Sequence, residues 1–274
     1  MTPAIVVLTD FFAVSNRALS YAACLAVPLE AHLVLLHVSH DGLLAPDEYR
    51  GYRNAEQTQR ALHTLAESQP VPTQVEISPD YLPEAVEKAV RHHQPQLLVL
   101  GRPGTATAPV EIVTSTALDL LRRVPYPLLI VPTVGWDTFP PRRLVLAVDG
   151  EPISLYENQQ IVQQLLHALH GSLHLVHVAH NPELQHSALH ILRTARTCGL
   201  APEFTDDFTE AQVHMVPGLP PAEGILQTAS DLEADLLVVV ARRHNLLSSL
   251  FHRSVTAQLI GESPIPVLLL PALD

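Results

Sequence analysis

The sequence predicts an α/β protein built from two tandem copies of one domain. Short apolar, β-branched segments alternate with longer amphipathic segments, which is typical of a parallel sheet covered by helices on both faces. The whole series then occurs a second time, about 139 residues further along the chain. A repeat of this length indicates a duplicated domain, because solenoid repeats span only about 20–50 residues.

Four pairs of segments show the duplication. The paired segments are Ile5–Asp10 with Leu144–Asp149, Leu35–Val38 with Leu175–Val178, Leu97–Leu100 with Leu236–Val239, and Pro125–Pro132 with Pro264–Pro271. Each pair has the same apolar pattern, so we expect the two halves to share one arrangement of strands.

Each half contains five strand patterns and four helical ones. In the first half we predict strands near 4–9, 32–38, 72–78, 96–101 and 127–132, and helices near 14–27, 47–67, 82–93 and 114–123. In the second half the strands fall near 143–148, 172–178, 212–216, 235–240 and 265–270, and the helices near 153–169, 182–198, 220–231 and 254–262. Because crossovers between parallel strands are right-handed, each half should form a five-stranded, mostly parallel sheet in Rossmann-like or flavodoxin-like order.

The stretch between the halves ends in a proline pair and carries little periodicity, which is typical of a linker. We therefore place domain 1 at 1–134, the linker at 135–141 and domain 2 at 142–274.

Prolines flank both fifth strands, which favours edge positions in a sheet. Two apolar edge strands would promote aggregation unless they were covered. We expect strands 127–132 and 265–270 to run antiparallel beside each other within one chain, as an internal pseudo-dimer. Pairing with another chain, in a homodimer, is the alternative.

Composition restricts the class of protein. The chain is 47% apolar, enough for two cores, and contains two cysteines, one in each half, which argues against a disulfide framework and fits a reducing cytoplasm. The N-terminus has no basic region of a secretory signal, and no apolar run is long enough to span a bilayer. A net charge of −12 disfavours nucleic acids and anionic membranes as partners, while a small ligand or a protein partner remains compatible with it.

One segment has the residue types that bind phosphate. After the fourth strand the sequence reads Gly101-Arg-Pro-Gly104, followed nine residues later by Thr114-Ser115-Thr116 at the predicted start of a helix. Glycine lets a ligand approach the backbone, and a serine at a helix N-terminus adds donors where the dipole favours anions. The alternative is that Ser115 only caps the helix.

In the context of the whole chain, this segment resembles the universal stress protein family, whose nucleotide-binding members carry G-x2-G-x9-G-[ST] between the fourth strand and the fourth helix. The resemblance covers both halves. It rests on Thr9-Asp10-Phe11, His37-Val38, Gly101, Gly104, Ser115 and the last strand of the first half, and on 217–225, 235–239, 251–256 and 264–270 of the second.

The resemblance implies an adenine-nucleotide site in the first half, with ATP as its ligand. It places Thr9, Asp10 and Val38 around the adenine and ribose, and Gly101, Gly104, Ser115 and Thr116 against the phosphates. Thr114 stands where the family has its third glycine, so we expect its Cβ to crowd the phosphates and weaken binding.

In the second half the motif is degenerate. We align Ala241 and His244 with the first two glycines, which leaves eight residues before Arg253, the counterpart of the third glycine, and then Ser254 and Val255. We expect the large side chains to fill this site and exclude a nucleotide. Arg253 opposes the helix dipole and should need a carboxylate, for which Asp149 is the candidate, unless Arg253 points to water.

We expect no metal site and no catalytic residues. Helix and strand geometry places the histidines between His167 and His180 on different faces, and His92-His93 and His186/His190 are interpreted as solvated helix faces. The chain lacks the G-x-S-x-G and P-loop motifs.

These patterns and the resemblance together predict a cytoplasmic stress-response protein without enzymatic activity, which acts through a ligand state or a protein partner. An ATP sensor with one site in domain 1 is the first alternative, and a slow ATPase is the second.

Overall fold

The alternating segments form strands and helices in the predicted order. A computed structural model describes residues 2–9, 13–39, 55–102, 110–134, 139–155, 160–179, 187–199, 210–242 and 254–272. The chain divides into two units, Met1–Gly135 and Trp136–Asp274.

The first unit is a five-stranded parallel sheet with helices. Its strands are β1 (Ala4–Leu8), β2 (His32–Val38), β3 (Thr73–Ser78), β4 (Leu97–Arg102) and β5 (Leu128–Pro132). Its helices are α1 (Ala13–Ala26), α2 (Ala55–Glu67), α3 (Leu82–His93) and α4 (Val110–Arg123). The strand order is β3-β2-β1-β4-β5, with every neighbouring pair parallel.

The second unit repeats this arrangement. Its strands are β6 (Arg143–Ala147), β7 (Ser172–Ala179), β8 (Val213–Pro217), β9 (Leu236–Ala241) and β10 (Val267–Pro271). Its helices are α5 (Ile161–Leu169), α6 (Ala188–Thr197), α7 (Pro221–Asp231) and α8 (Val255–Glu262), with a short 3-10 turn at Glu210–Gln212. The order β8-β7-β6-β9-β10 matches the first unit, strand for strand. The predicted α/β fold with two parallel sheets is therefore confirmed, while the pairing of the two fifth strands stays a prediction.

The central strands form the cores. All five residues of β1, β5 and β10 are buried, because helices cover both faces of each sheet, and their uninterrupted apolar sequences reflect this. The edge strand β3 is largely unburied and alternates polar with apolar residues. No helix in the ranges given above is both long and apolar enough to cross a bilayer.

A histidine joins the ends of the first two strands in each unit. The Nδ1 atom of His37 lies 2.9 Å from the carbonyl oxygen of Thr9, and Nδ1 of His177 lies 3.0 Å from the carbonyl oxygen of Val148. A carbonyl only accepts hydrogen bonds, so Nδ1 carries the proton in both rings. The two histidines are thus equivalent structural residues of the duplicated fold.

An aspartate fixes the start of β6 beside β9. The Oδ2 atom of Asp235 accepts from the backbone N–H groups of Arg142 and Arg143, at 2.9 and 2.8 Å. The N–H of Asp235 in turn donates to the carbonyl of Arg143 at 2.9 Å. Hydrogen bonds to a charged acceptor are stronger than neutral ones, so this carboxylate should anchor the second sheet.

Asp235→Ala is expected to lower the free energy of unfolding by about 2 kcal/mol, because two backbone donors lose their charged acceptor. Asp235→Asn keeps one acceptor oxygen and should lose less. Urea unfolding followed by circular dichroism measures both, with Glu233→Gln as the control, since the Glu233 side chain is 86% exposed. A stability of Asp235→Ala equal to that of the control would contradict this role.

Candidate functional site

The candidate site of each unit lies where the strand order reverses. In an open α/β sheet, ligands bind beyond the carboxyl ends of the strands at the point where the chain changes winding direction. In the first unit this point lies between β1 and β4, and in the second between β6 and β9. The residues that follow these strands therefore decide what each unit can bind.

Thr9 follows β1 and is the most informative residue of the first unit. Its N–H donates to the carbonyl of Leu36 at 3.0 Å, and its own carbonyl accepts from His37. The residue is only 5% exposed, and its Oγ1 atom has no hydrogen-bond partner in the described part of the chain. A buried hydroxyl without a partner is costly, and its capacity to bind a ligand atom is unused.

The other two strand ends border Thr9 in the sheet. Val38 ends β2 and is half-buried, and Gly101 lies near the end of β4, paired with Val131 of β5.

Arg102 is the last residue of β4. It is buried, and burial lowers the pKa of its guanidinium from the ordinary value. The carbonyl of Arg102 accepts hydrogen bonds from both the N–H and the hydroxyl of Thr133.

Helix α4 begins at Val110, four residues earlier than predicted. Thr114, Ser115 and Thr116 therefore lie in its second turn, where backbone N–H groups are bonded within the helix. The hydroxyls of Ser115 and Thr116 both donate to the carbonyl of Ile112, at 2.9 and 2.8 Å. The earlier start is explained by Val113, Ala117 and Leu120, which are buried at helical spacing.

The resemblance assigned seven residues of this unit, with Thr114, to a nucleotide. Asp10 and Gly104 lie outside the described residues, and Thr114 is buried. The placement of Ser115 and Thr116 at the helix N-terminus is corrected by the start of α4. Their roles against phosphates, and those of Thr9, Val38 and Gly101 around a nucleotide, stay predictions.

Strand register corrects the alignment of the second half. Gly101 pairs with Val131 and Arg102 with Pro132, while Val240 pairs with Leu270 and Ala241 with Pro271. The counterpart of Gly101 is therefore Val240, one residue before the predicted Ala241. Counting onward, Arg243 rather than His244 corresponds to Gly104, and nine residues precede Arg253, as in the first half. The spacing is therefore complete, and the one-residue error arose because Val238–Ala241 is uniformly apolar.

In the second unit, Arg242 at the end of β9 binds the segment that follows β6. Its side chain is 7% exposed, and its Nε and Nη2 atoms donate to both carboxylate oxygens of Asp149, at 2.6 and 2.9 Å. Nη1 donates to the carbonyl of Pro152 and Nη2 to that of Glu151, each at 3.1 Å. One guanidinium thus ties the segment after β6 to the end of β9.

Asp149 was predicted to pair with Arg253, but its carboxylate is bound by Arg242. Burial by itself raises the pKa of this carboxyl, yet the hydrogen bonds and charge of Arg242, with the N–H of Glu151, hold the pKa below the ordinary value of 3.8. His244 and Arg253 lie outside the described residues. Arg242 directly follows β9 and corresponds to Pro103 in the first half. The correct strand register is therefore needed to recognise Arg242 as the partner of Asp149.

The segment after β6 has further attachments. The N–H of Glu151 donates to Oδ1 of Asp149 at 3.1 Å, and Nε2 of His190 lies 2.8 Å from the carbonyl oxygen of Gly150. Gly150 has a φ of 87°, a left-handed conformation that glycine adopts without strain. The segment is therefore held by Arg242 from the end of β9 and by His190 from α6.

Ser254 caps helix α8. Its Oγ atom accepts from the N–H of Ala257 at 3.1 Å, and Val255 is the first residue of the helix. This is the capping role that was the alternative for the equivalent Ser115 in the first half.

Two histidines of the second half lie in contact on neighbouring strands. Nδ1 of His174 lies 3.2 Å from Nε2 of His214 on the neighbouring strand, while His177 bonds to Val148. Burial lowers the pKa of both paired histidines, and the positive charges of His214 and Arg143 add to the lowering at His174.

Comparison with known proteins identifies the family of both units. The sequence model of the Universal stress protein family matches residues 1–132 and again residues 141–271. The chain belongs to the universal stress protein family. It is a tandem member, as the resemblance implied, and family membership supports a role in the stress response. No curated protein matches the sequence.

Solved structures share the fold of this universal stress protein. One is a universal stress protein from Archaeoglobus fulgidus, with 16% identity, 98% of each chain covered and a TM-score of 0.66. Another is a functionally unknown protein from Pseudomonas aeruginosa, with 18% identity, 99% of this chain and 93% of the other covered, and a TM-score of 0.63. The cytoplasmic domain of a prokaryotic cation chloride cotransporter also matches, at 11% identity, with 100% and 96% covered and a TM-score of 0.54. Identities this low establish the fold alone.

Arg242→Ala should lower the free energy of unfolding by about 2 kcal/mol, because two carbonyls and a carboxylate lose their donor. Arg142→Ala, at an exposed position, is the control and should change little. Chemical denaturation at neutral pH checks this, and an unchanged midpoint for Arg242→Ala would exclude the guanidinium as a structural clamp.

Acid should abolish the contribution of Asp149. Because its folded pKa lies below the unfolded value, the ion pair stabilises the folded state above about pH 4, and this stabilisation is lost as pH falls through the folded pKa. Wild type and Asp149→Asn should therefore differ in stability at neutral pH and converge in acid. A difference that stays constant through this range would contradict the assignment.

Thr9→Val is expected to raise the free energy of unfolding by about 1 kcal/mol, because a methyl group replaces a buried hydroxyl that has no hydrogen-bond partner among the described residues. The matched change in the second unit is Val148→Thr, which introduces such a hydroxyl and should destabilise by a similar amount. Thermal unfolding of both variants tests this, and a destabilised Thr9→Val would show that the hydroxyl is already satisfied.

Proposed function

We propose that the protein is a cytoplasmic stress-response protein without enzymatic activity, in which the first unit responds to a ligand and the second is a closed copy. The Arg242 clamp is the observation that carries this proposal. A guanidinium that makes four hydrogen bonds, two of them to a carboxylate, is expensive to displace, since each group it binds would lose its partner.

The first unit differs from the second at three corresponding positions near these strand ends. Thr9 stands where the second unit has Val148, Gly101 where it has Val240, and Pro103 where it has Arg242. A glycine leaves the space that a valine fills. A proline has no charged side chain that could bridge the ends of the first and fourth strands, as Arg242 does in the second unit. A ligand would therefore bind to the first unit, and its occupancy would bias the surrounding segments.

An adenine-nucleotide sensor is the second candidate function, and the Oγ1 atom of Thr9 favours it. This hydroxyl can donate to or accept from a ribose or base, and a bound nucleotide would supply the partner that it lacks in the part of the chain that the structure describes. Thr114 and the hydrogen bonds of Ser115 and Thr116 within α4 weigh against tight phosphate binding. We therefore expect any nucleotide to be held mainly through its adenosine part.

A slow ATPase is the candidate with least support. Phosphoryl transfer needs a metal ion or a general base positioned at the phosphates. The described residues gather no three-ligand group for a metal at the ends of β1 and β4.

Small molecules released from freshly purified, denatured full-length protein and identified by mass spectrometry would reveal the ligand. An ATP turnover assay with Ser115→Ala as a control tests for catalysis. Turnover by the wild type that Ser115→Ala abolishes would contradict the non-enzymatic proposal.

Calorimetric titration with ATP tests the sensor separately. If the first unit binds the nucleotide, Gly101→Val should weaken binding at least about tenfold, because the new side chain fills the crevice, whereas Val240→Ala in the second unit should not. Circular dichroism confirms that both variants fold. Absence of ATP binding to the wild type rejects the sensor and leaves the non-enzymatic proposal standing.

A further inference from the structure

Three residues that could ligate a metal lie close together at the β3 edge of the first unit. Glu76 lies in the edge strand β3, and His92 and His93 are the last two residues of α3. Nε2 of His93 lies 2.7 Å from Oε2 of Glu76, and one ligand atom from each of the three residues lies within 4.8 Å of the others.

The two histidines converge although they are adjacent in sequence. Neighbouring residues on a helix point about 100° apart, because a turn holds about 3.6 residues. Here the rings of His92 and His93 are stacked, with centroids 4.4 Å apart and an interplanar angle of 16°. The helix ends at this point, with Gln94 in the left-handed conformation. Both imidazoles are thus close to the carboxylate.

The chemistry of this cluster matches a borderline divalent cation. Two imidazole nitrogens and one carboxylate oxygen form a ligand set found for Zn²⁺, and three protein ligands leave further positions open. The carbonyl end of α3 adds a favourable field for a cation. The side chains of His93 and Glu76 are 11% and 28% exposed and His92 is exposed, so the cluster has a partly buried side and an open one.

We propose that Glu76, His92 and His93 bind one divalent transition-metal ion of the zinc type. Ligand atoms around tetrahedral zinc lie about 3.3 Å apart, given bond lengths of about 2.0–2.1 Å. The hydrogen-bonded pair of His93 and Glu76 must open slightly to admit the ion, which rotation of the two side chains provides. When Nε2 of His93 ligates the ion, the imidazole carries its hydrogen on Nδ1, because a neutral imidazole binds a metal through the nitrogen that bears no hydrogen.

This site is separate from the candidate ligand site. Glu76 lies in the edge strand β3, which β2 separates from β1, and His92 and His93 end α3, whereas Thr9 follows the end of β1. The metal proposal therefore goes beyond the proposed function, and either can fail without the other.

Titration calorimetry of metal-free, full-length protein with zinc chloride in a non-chelating buffer tests the proposal. We expect one site that binds one zinc ion per chain. Glu76→Gln and His92→Gln should each reduce the affinity at least about tenfold. His63→Gln, an exposed histidine on α2, is the matched control and should leave it unchanged.

Cobalt(II) provides a spectroscopic readout. Binding at three protein ligands should give the visible absorption of four- or five-coordinate cobalt in the wild type and in His63→Gln, and this absorption should disappear in His92→Gln. His92 is exposed, so its replacement should leave the fold intact even if Glu76→Gln does not fold. Failure of the wild type to bind zinc would overturn the proposal, and so would equal affinity in all variants, which would assign the ion to other histidines.

Discussion

Burial of the central strands on both faces is the constraint on which the rest of the structure depends. Parallel strands covered by helices can present chemical groups only at their ends or along a sheet edge. The residues of the two candidate sites accordingly follow the strands, as Thr9 and Asp149 do, or lie near the end of one, as Gly101 does. The edge strand β3 is the case in which a group lies along a sheet edge. Its partial exposure lets the side chain of Glu76 reach the end of α3.

The two units keep the same framework and differ in what completes it. His37 and His177 make the same bond to the carbonyl after the first strand, so the spacing of the strand ends is preserved. The differences fall between those ends, where Arg242 spans the crevice of the second unit and Pro103 stands at the corresponding position of the first. In the function that we propose, the second unit keeps the fold without a binding site, because the Arg242 clamp puts internal hydrogen bonds where a ligand would bind.

The sequence predicted the fold well because the duplication and the apolar periodicity are repeated signals. Right-handed crossovers restrict the possible strand orders to a few, and both units have the same one of these orders. The site was predicted less well. Val238–Ala241 has no polar residue to fix its register, so the counterpart of Gly101 was misplaced by one residue and Arg242 was overlooked as the partner of Asp149. The contact between Glu76 and His93 could not be predicted from the sequence pattern either. The two residues are 17 positions apart and come together only when helix α3 packs beside strand β3.

The strand ends of the two units represent opposite solutions to one energetic problem. Polar groups at a buried strand end must be satisfied, either by the protein itself or by something that it binds. The second unit pairs the carboxylate of Asp149 with Arg242, while the hydroxyl of Thr9 in the first unit is buried and has no hydrogen-bond partner within the described ranges. Such an unmatched group is tolerable when a ligand supplies the missing bond, since binding then recovers the desolvation cost already spent. The asymmetry between Thr9 and Val148 is therefore a second physical reason, beside the Arg242 clamp, to look for a ligand in the first unit.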